Sequence, residues 1–169
     1  MLSNHRKRTQ RGQALAEFAM IIGAFATIVI GAFYFGTILF QDWENGRLAT
    51  AVGEKVTLQG QLSEQDVISK ASLFNVDPTI TTVVVTVTHV GSGGVVAPSR
   101  KYCFRGASSQ QECPAGANSL PWWVNYGDYI SVQALSDVNI PILSGFMQNT
   151  GGNPVISGNW HGITQLDWP

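Results

Sequence analysis

Two places in this sequence hold residues whose types and spacing could do chemistry. The first is "RGQALAEF" at 11–18, where Glu17 follows Gln13 by four residues and opens onto a long apolar run. A carboxylate near a bilayer costs roughly 3 kcal/mol at the centre and less at the edge, so such groups are usually partnered. Arg11, lipid headgroups or water could supply the partner. Hydrolysis of the chain could supply another. A cut between Gly12 and Gln13 would give Gln13 a free α-amine and make Glu17 the fifth residue of the mature chain, followed by the aromatic Phe18. An amine and a carboxylate attract strongly at low dielectric, within one helix or between neighbouring ones.

The second place is the pair Cys103 and Cys113, the only cysteines in the chain. Outside the cytoplasm, two cysteines closing a loop this short are expected to form a disulfide. The loop-closure model assigns such a bridge roughly 3 kcal/mol. A metal site needs more ligands than two cysteines supply, and the nearest additions, His89 and Glu112, belong to no ligand motif. No metal and no cofactor is therefore expected. The sequence contains no G-x-S-x-G, no H-E-x-x-H and no clustered carboxylate pair, so catalysis is not expected either.

The element that must carry Glu17 is the stretch "FAMIIGAFATIVIGAFYFGTILF" at 18–40, which has no charged residue and no proline. As a helix it is roughly 35 Å long, enough for a hydrocarbon core of about 30 Å. It is longer than the apolar part of a secretory signal peptide, and "RLATA" at 47–51 lies too far beyond it to be a convincing cleavage site. Four basic residues, Arg6, Lys7, Arg8 and Arg11, precede the run, while Asp42 and Glu44 follow it. The positive-inside rule then places the N-terminus in the cytoplasm and the chain from about residue 42 outside, with Trp43 at the membrane interface. The reading is of a single-pass protein of the inner or cytoplasmic membrane, with the lipid bilayer as its first partner.

Ala19, Gly23, Thr27 and Gly31 recur at four-residue intervals within the run. Small residues so placed let a second helix approach closely. They are also simply common in membrane helices, and both readings stand. Past residue 12 the chain has six basic and eleven acidic residues. That balance gives no reason to expect nucleic-acid binding, since an acidic domain repels phosphates.

At these residues the chain resembles a family. "RGQALAEFAMIIGAF" is similar to the N-terminus of the TadE-like pseudopilins of tight-adherence (Flp) pili, a branch of the type IV pilus superfamily. The similarity spans roughly residues 10–40. It departs from the family pattern at Gly23, near a place where those chains often carry proline, and at Tyr34, where many carry an acid. The resemblance implies that a prepilin peptidase cuts between Gly12 and Gln13. It implies that Glu17 is the assembly glutamate with Phe18 as its aromatic neighbour. It also implies partners: other pilin or pseudopilin subunits and a pilus assembly platform, in the membrane or on the cell surface. The implied role is that of a minor subunit, structural rather than catalytic. The alternative from a different class is an unprocessed single-span anchor carrying an outer binding module.

The outer part reads as helix, then strands. "DWENGRLATAVGEKVTLQGQ" keeps Leu48, Val52 and Val56 on one stripe, with a possible break at Gly46 and an end near residue 58. "SEQDVISKASLF" opens with Ser63 and Asp66 at capping-box spacing and offers Val67, Leu73 and Phe74 to a core, with "DP" at 77–78 expected to end it. In "TITTVVVTVTHV" the alternation puts Val83, Val85 and Val87 on one face, with His89 on the same parity at the strand end. "GSGG" at 91–94 is a turn, since it lacks the Lys-Ser/Thr of a phosphate loop. Further strands are expected near 99–105 and in "GDYISVQALSDVNI", where Ile130, Val132 and Ala134 alternate. "GNWHG", holding His161, reads as a turn or a last strand. "LPWW" at 120–123, with Trp160 and Trp168, reads as packing or as a contact surface for another subunit. The expected fold is α+β: a long N-terminal transmembrane helix and a small extracytoplasmic domain whose antiparallel sheet packs on helix. The expected divisions are a basic leader (1–12), the transmembrane helix (13–42), a helical stalk (43–78) and a β-rich domain (79–169).

Overall fold

The computed structural model describes residues 3–91, 96–104, 120, 124–137 and 155–164. They form two helices, α1 (Ser3–Gln59) and α2 (Glu64–Leu73), and four strands, β1 (Thr81–Thr88), β2 (Arg100–Phe104), β3 (Tyr129–Asp137) and β4 (Val155–Ile163). The strands make one antiparallel sheet in the order β2-β1-β3-β4. The architecture is a long apolar N-terminal helix plus a small four-stranded sheet, an α+β arrangement. Two compact units are present, Met1–Thr37 and Ile38–Pro169.

In the first unit α1 leaves its large apolar side chains uncovered; Phe18, Phe25, Ile28 and Phe33 are each more than three-fifths exposed. Among the described residues, this is the helix long and apolar enough to cross a bilayer. The hydroxyls of Thr27 and Thr37 are satisfied inside the helix. Thr27 donates to the carbonyl of Gly23 at 2.8 Å and Thr37 to that of Tyr34 at 2.7 Å. Such back-bonding is what a hydroxyl surrounded by hydrocarbon requires.

In the second unit the later part of α1 carries the predicted stripe. Leu48, Val52 and Val56 are fully buried, joined by Ala49 and Asn45. The helix does not break at Gly46 but runs unbroken to Gln59. Gly46 is the site of a close approach instead. A Cβ on Gly158 of β4 would collide with the backbone of Asn45 and Gly46, so the strand reaches the helix backbone directly there. Helix α1 ends where Gly60 takes the left-handed conformation, φ 64°, and returns its N–H to the Val56 carbonyl at 2.9 Å.

The capping box is formed as its spacing predicts: Ser63 Oγ accepts from the Asp66 N–H, and Asp66 Oδ2 accepts from the Ser63 N–H at 3.0 Å. The end of α2 differs from expectation. It stops at Leu73, well before "DP", because Asn75 enters the left-handed region at φ 58° and the Val76 N–H closes onto the Ala71 carbonyl at 2.9 Å. Asparagine does here what glycine usually does at a helix end. Val67 and Ala71 are buried and Phe74 packs against the core, whereas Leu73 is 78% exposed.

The sheet presents one face to the helices. Its rows are Phe104–Val83–Ala134–Gly158, then Tyr102–Val85–Val132–Trp160, then Arg100–Val87–Ile130–Gly162. Val83, Val85, Ile130, Val132 and Ala134 are fully buried, as the alternation predicts. "GNWHG" proves to be strand β4, and its Gly-x-Trp-x-Gly alternation has a packing cause. The Trp160 indole occupies the space that a Cβ on Gly53 of α1 or on Gly162 would need.

Candidate functional site

Three arrangements could carry function, and the sequence pointed at parts of the first and the third. The first is the start of the apolar helix. The Gly12–Gln13 peptide lies inside α1. One turn on, the Gln13 side-chain amide donates to Glu17 Oε1 at 3.1 Å. The four-residue spacing that brings them together is the helical repeat. Glu17 thus has a neutral partner on the residue that a cut after Gly12 would turn into a new N-terminus. Phe18, beside it, is exposed.

Ala19, Gly23, Thr27 and Gly31 all lie on α1 and all are exposed. A Cβ built on Gly23 or Gly31 would meet nothing. Steps of four residues advance the face by roughly 40° each, so the row winds around the helix instead of running straight. The Thr27–Gly23 hydrogen bond links two of its members.

The second arrangement joins α1 to the sheet through a buried polar cluster that sequence reasoning missed. Ser136 Oγ donates to Asn45 Oδ1 at 2.9 Å and lies 2.7 Å from Thr81 Oγ1. Asn45 Nδ2 donates to the Ile156 carbonyl at 3.3 Å. All three side chains are nearly inaccessible. The cluster leaves no polar atom stranded and fixes where β1, β3 and β4 meet the helix.

The third is a cavity of about 330 Å³ at one end of the sheet, walled by Val87, Tyr102, Ala97, Pro98 and Val124, with His89 and Asp128 at its polar side. His89 sits just past β1 on the valine parity, as its position predicts. Its Nδ1 lies 2.6 Å from Asp128 Oδ1. Asp128 is fully buried, and its second oxygen accepts from the Asn125 N–H at 2.8 Å. Thr164 holds this turn in place: its hydroxyl accepts from the Asp128 N–H at 2.9 Å and donates to the Asn125 carbonyl. A carboxylate on Nδ1 orients the ring and leaves Nε2 as its other polar atom. Among the described residues, the hydrogen bonds of the His89 ring run to Asp128 and Asn125. The pair spans 39 positions of sequence, so no local motif could reveal it.

Cys103 lies on β2, paired in register with Val84, and is disulfide-bonded. Cys113 lies outside the described residues, as do Pro121, Trp122, Trp123 and Trp168. Among the described residues, no group of three or more His, Cys, Asp or Glu side chains is gathered to hold a metal.

Two carboxylates of the second unit are shifted by their surroundings. Hydrogen bonds from Lys55 and Ser63 hold Asp66 down to about 2. Burial pushes Glu44 up, and the charge of Arg47 partly offsets it. Comparison with family models, with characterised proteins and with solved structures returns no match.

Proposed function

We propose that this chain is a single-span membrane protein of the TadE-like pseudopilin type, cut after Gly12 by a prepilin peptidase and assembled through its apolar helix. Its work is assembly, not chemistry. The observation that carries the reading is the pairing of Gln13 with Glu17 at the mouth of an uncovered apolar helix. Gln13 already stands on the Glu17 face. Cleavage adds a cationic α-amine to that same residue and removes the basic leader. A carboxylate met by a neutral amide then gains a full positive charge beside it, and the two attract strongly at low dielectric. The exposed aromatic and aliphatic side chains of 18–40 then have two ways to be covered: lipid, or the same surface of other subunits.

The sheet, the second helix and the buried Asn45 cluster make the outer unit a cargo that needs no chemistry of its own. In this reading it lies outside the cytoplasm, where the disulfide at Cys103 persists. N-terminal mass analysis of the purified protein, with and without the peptidase, tests the proposal. A mature chain starting at Gln13 supports it. An intact leader in the presence of the peptidase defeats it.

One observation favours the second reading, an unprocessed anchor with an outer binding module. The His89–Asp128 pair faces a mostly apolar cavity whose volume falls at the lower end of the range for small-ligand sites, about 300 to 1,000 Å³. An intact Met1 leader on the functional protein would select that reading.

A further inference from the structure

Arg47 is surrounded in a way that neither the assembly surface nor the fold requires. Its guanidinium carbon lies 4.8 Å from the ring centre of Trp43 and 4.8 Å from that of Phe74. Both contacts have a geometric origin. Helical side chains lean toward the N-terminus, so Arg47 reaches back one turn onto Trp43. Phe74 arrives from α2, which two contacts hold antiparallel to α1: Asp66 near its start pairs with Lys55, and Phe74 at its end meets Arg47. The chain therefore descends along α1 as α2 proceeds, and it delivers an aromatic ring to the level of Trp43 and Arg47.

That level is informative. The charge-free run ends at Phe40, and Trp43 and Arg47 follow by about 4.5 and 10.5 Å along the axis. The interfacial layer of a bilayer is roughly 5 to 8 Å deep on each side. An arginine bent back over Trp43 holds its guanidinium within that layer. Arg47 is exposed, and among the described residues its guanidinium forms no hydrogen bond and no ion pair. Ring faces attract the cation without using its N–H edge. The fork that matches a phosphate is left available. Glu44, one turn back, feels its charge, so the place is no broad cationic patch that would collect anionic lipid in bulk.

We infer that Arg47, held by Trp43 and Phe74, binds the phosphate of a membrane phospholipid headgroup. The inference rests on the membrane reading above, and it adds a recognition site on the outer side of the span. Trp43 and Phe74 fix the arginine in place, and Arg47 supplies paired N–H donors to one phosphate.

The test uses the full chain, labelled with ¹³C-arginine, in phosphatidylcholine vesicles. Dipolar dephasing by ³¹P is measured for the guanidinium carbons, and the Arg47→Lys spectrum is subtracted. A nitroxide on Val29→Cys reports separately whether the span lies in lipid. The expected result is a phosphorus-dephased guanidinium signal that Arg47→Lys abolishes and Phe74→Leu reduces to about half, with the Val29 label in lipid throughout. A Val29 label in lipid with no Arg47-dependent dephasing overturns this inference and leaves the membrane reading intact. A Val29 label in water overturns both. In phosphate-free galactolipid vesicles supplied with inorganic phosphate the signal should be absent; equal dephasing there would make the site one for a free ion and overturn the lipid assignment.

Discussion

Gly31 and Gly158 stand in opposite surroundings. A Cβ added at Gly31 would meet nothing, while one added at Gly158 would run into the backbone of Asn45 and Gly46. The same contrast holds for whole surfaces. Between residues 13 and 37 the large apolar side chains of α1 are uncovered, and its threonine hydroxyls are satisfied within the helix itself. From Asn45 to Val56 the same helix is clad by the sheet, with a polar cluster and an indole fitted against it. One element thus carries two kinds of surface. The second has found its partners within the chain. The first has none among the described residues, and Gly23 and Gly31 there face open space.

The largest expected effect breaks the clad region. Gly158→Ala forces β4 away from the helix backbone and should destabilise the second unit by at least about 2 kcal/mol, measured by denaturant unfolding followed by tryptophan fluorescence. Gly31→Ala should leave that transition within about 0.5 kcal/mol. Equal shifts from the two substitutions would erase the distinction between the surfaces.

Asn45→Ala comes next. It removes the acceptor of the Ser136 hydroxyl and the amide donor to the Ile156 carbonyl in a buried place, at a cost of roughly 1 to 3 kcal/mol. An unchanged midpoint would mean that the cluster does not hold the sheet on the helix. On the open surface, Glu17→Gln should leave the stability of the second unit unaltered; under the assembly proposal it should also cut recruitment at least about tenfold, the equivalent of 1.4 kcal/mol. Co-purification with partner subunits reads this directly, and undiminished recruitment would remove the reason for the acid.

Two smaller effects sharpen the picture. Gly46→Ala has room for its methyl group and should stabilise α1 by up to about 1 kcal/mol, opposite in sign to Gly158→Ala. Asp66 gives a pH signature. Its carboxyl is held down to about 2 in the fold, chiefly by the Lys55 and Ser63 hydrogen bonds. A depressed acid contributes stability above its unfolded value, near 3.9, and loses it as pH falls through about 2. The pair is partly exposed, so the contribution is about 1 kcal/mol or less. Lys55→Met should flatten the acid limb between those two values. A limb of unaltered slope would show that the pairing adds nothing.

Patterns of short period were readable before any coordinates. Alternation placed Val83, Val85 and Val87, and likewise Ile130, Val132 and Ala134, on the core face, and the three-residue interval from Ser63 to Asp66 announced a capped helix. Contacts between distant positions were not. Asn45 meets Ser136 and Ile156 across 91 and 111 residues, and His89 meets Asp128 across 39. No local spacing encodes such pairs. Leu73 was misplaced because a ten-residue helix buries only a narrow stripe, here Val67 and Ala71, and the turn at Asn75 leaves Leu73 facing outward. On the open surface, the contact between Gln13 and Glu17 was legible because four residues bring two side chains onto one face of a helix. The cavity beside His89 was invisible except for one histidine on the valine parity.

The alternation on β4 has a consequence for how the sheet closes. The strand must land beside β3 after a long excursion of the chain, and a slide of two positions would preserve the inward set of side chains. It would also drive Trp160 in one direction, or Ile156 in the other, onto the stretch of helix that a bare glycine touches, and leave the cleft at Gly53 empty. An offset docking is thus rejected by collision and by a hole at once, so the last strand checks its own alignment like a key with a single tooth.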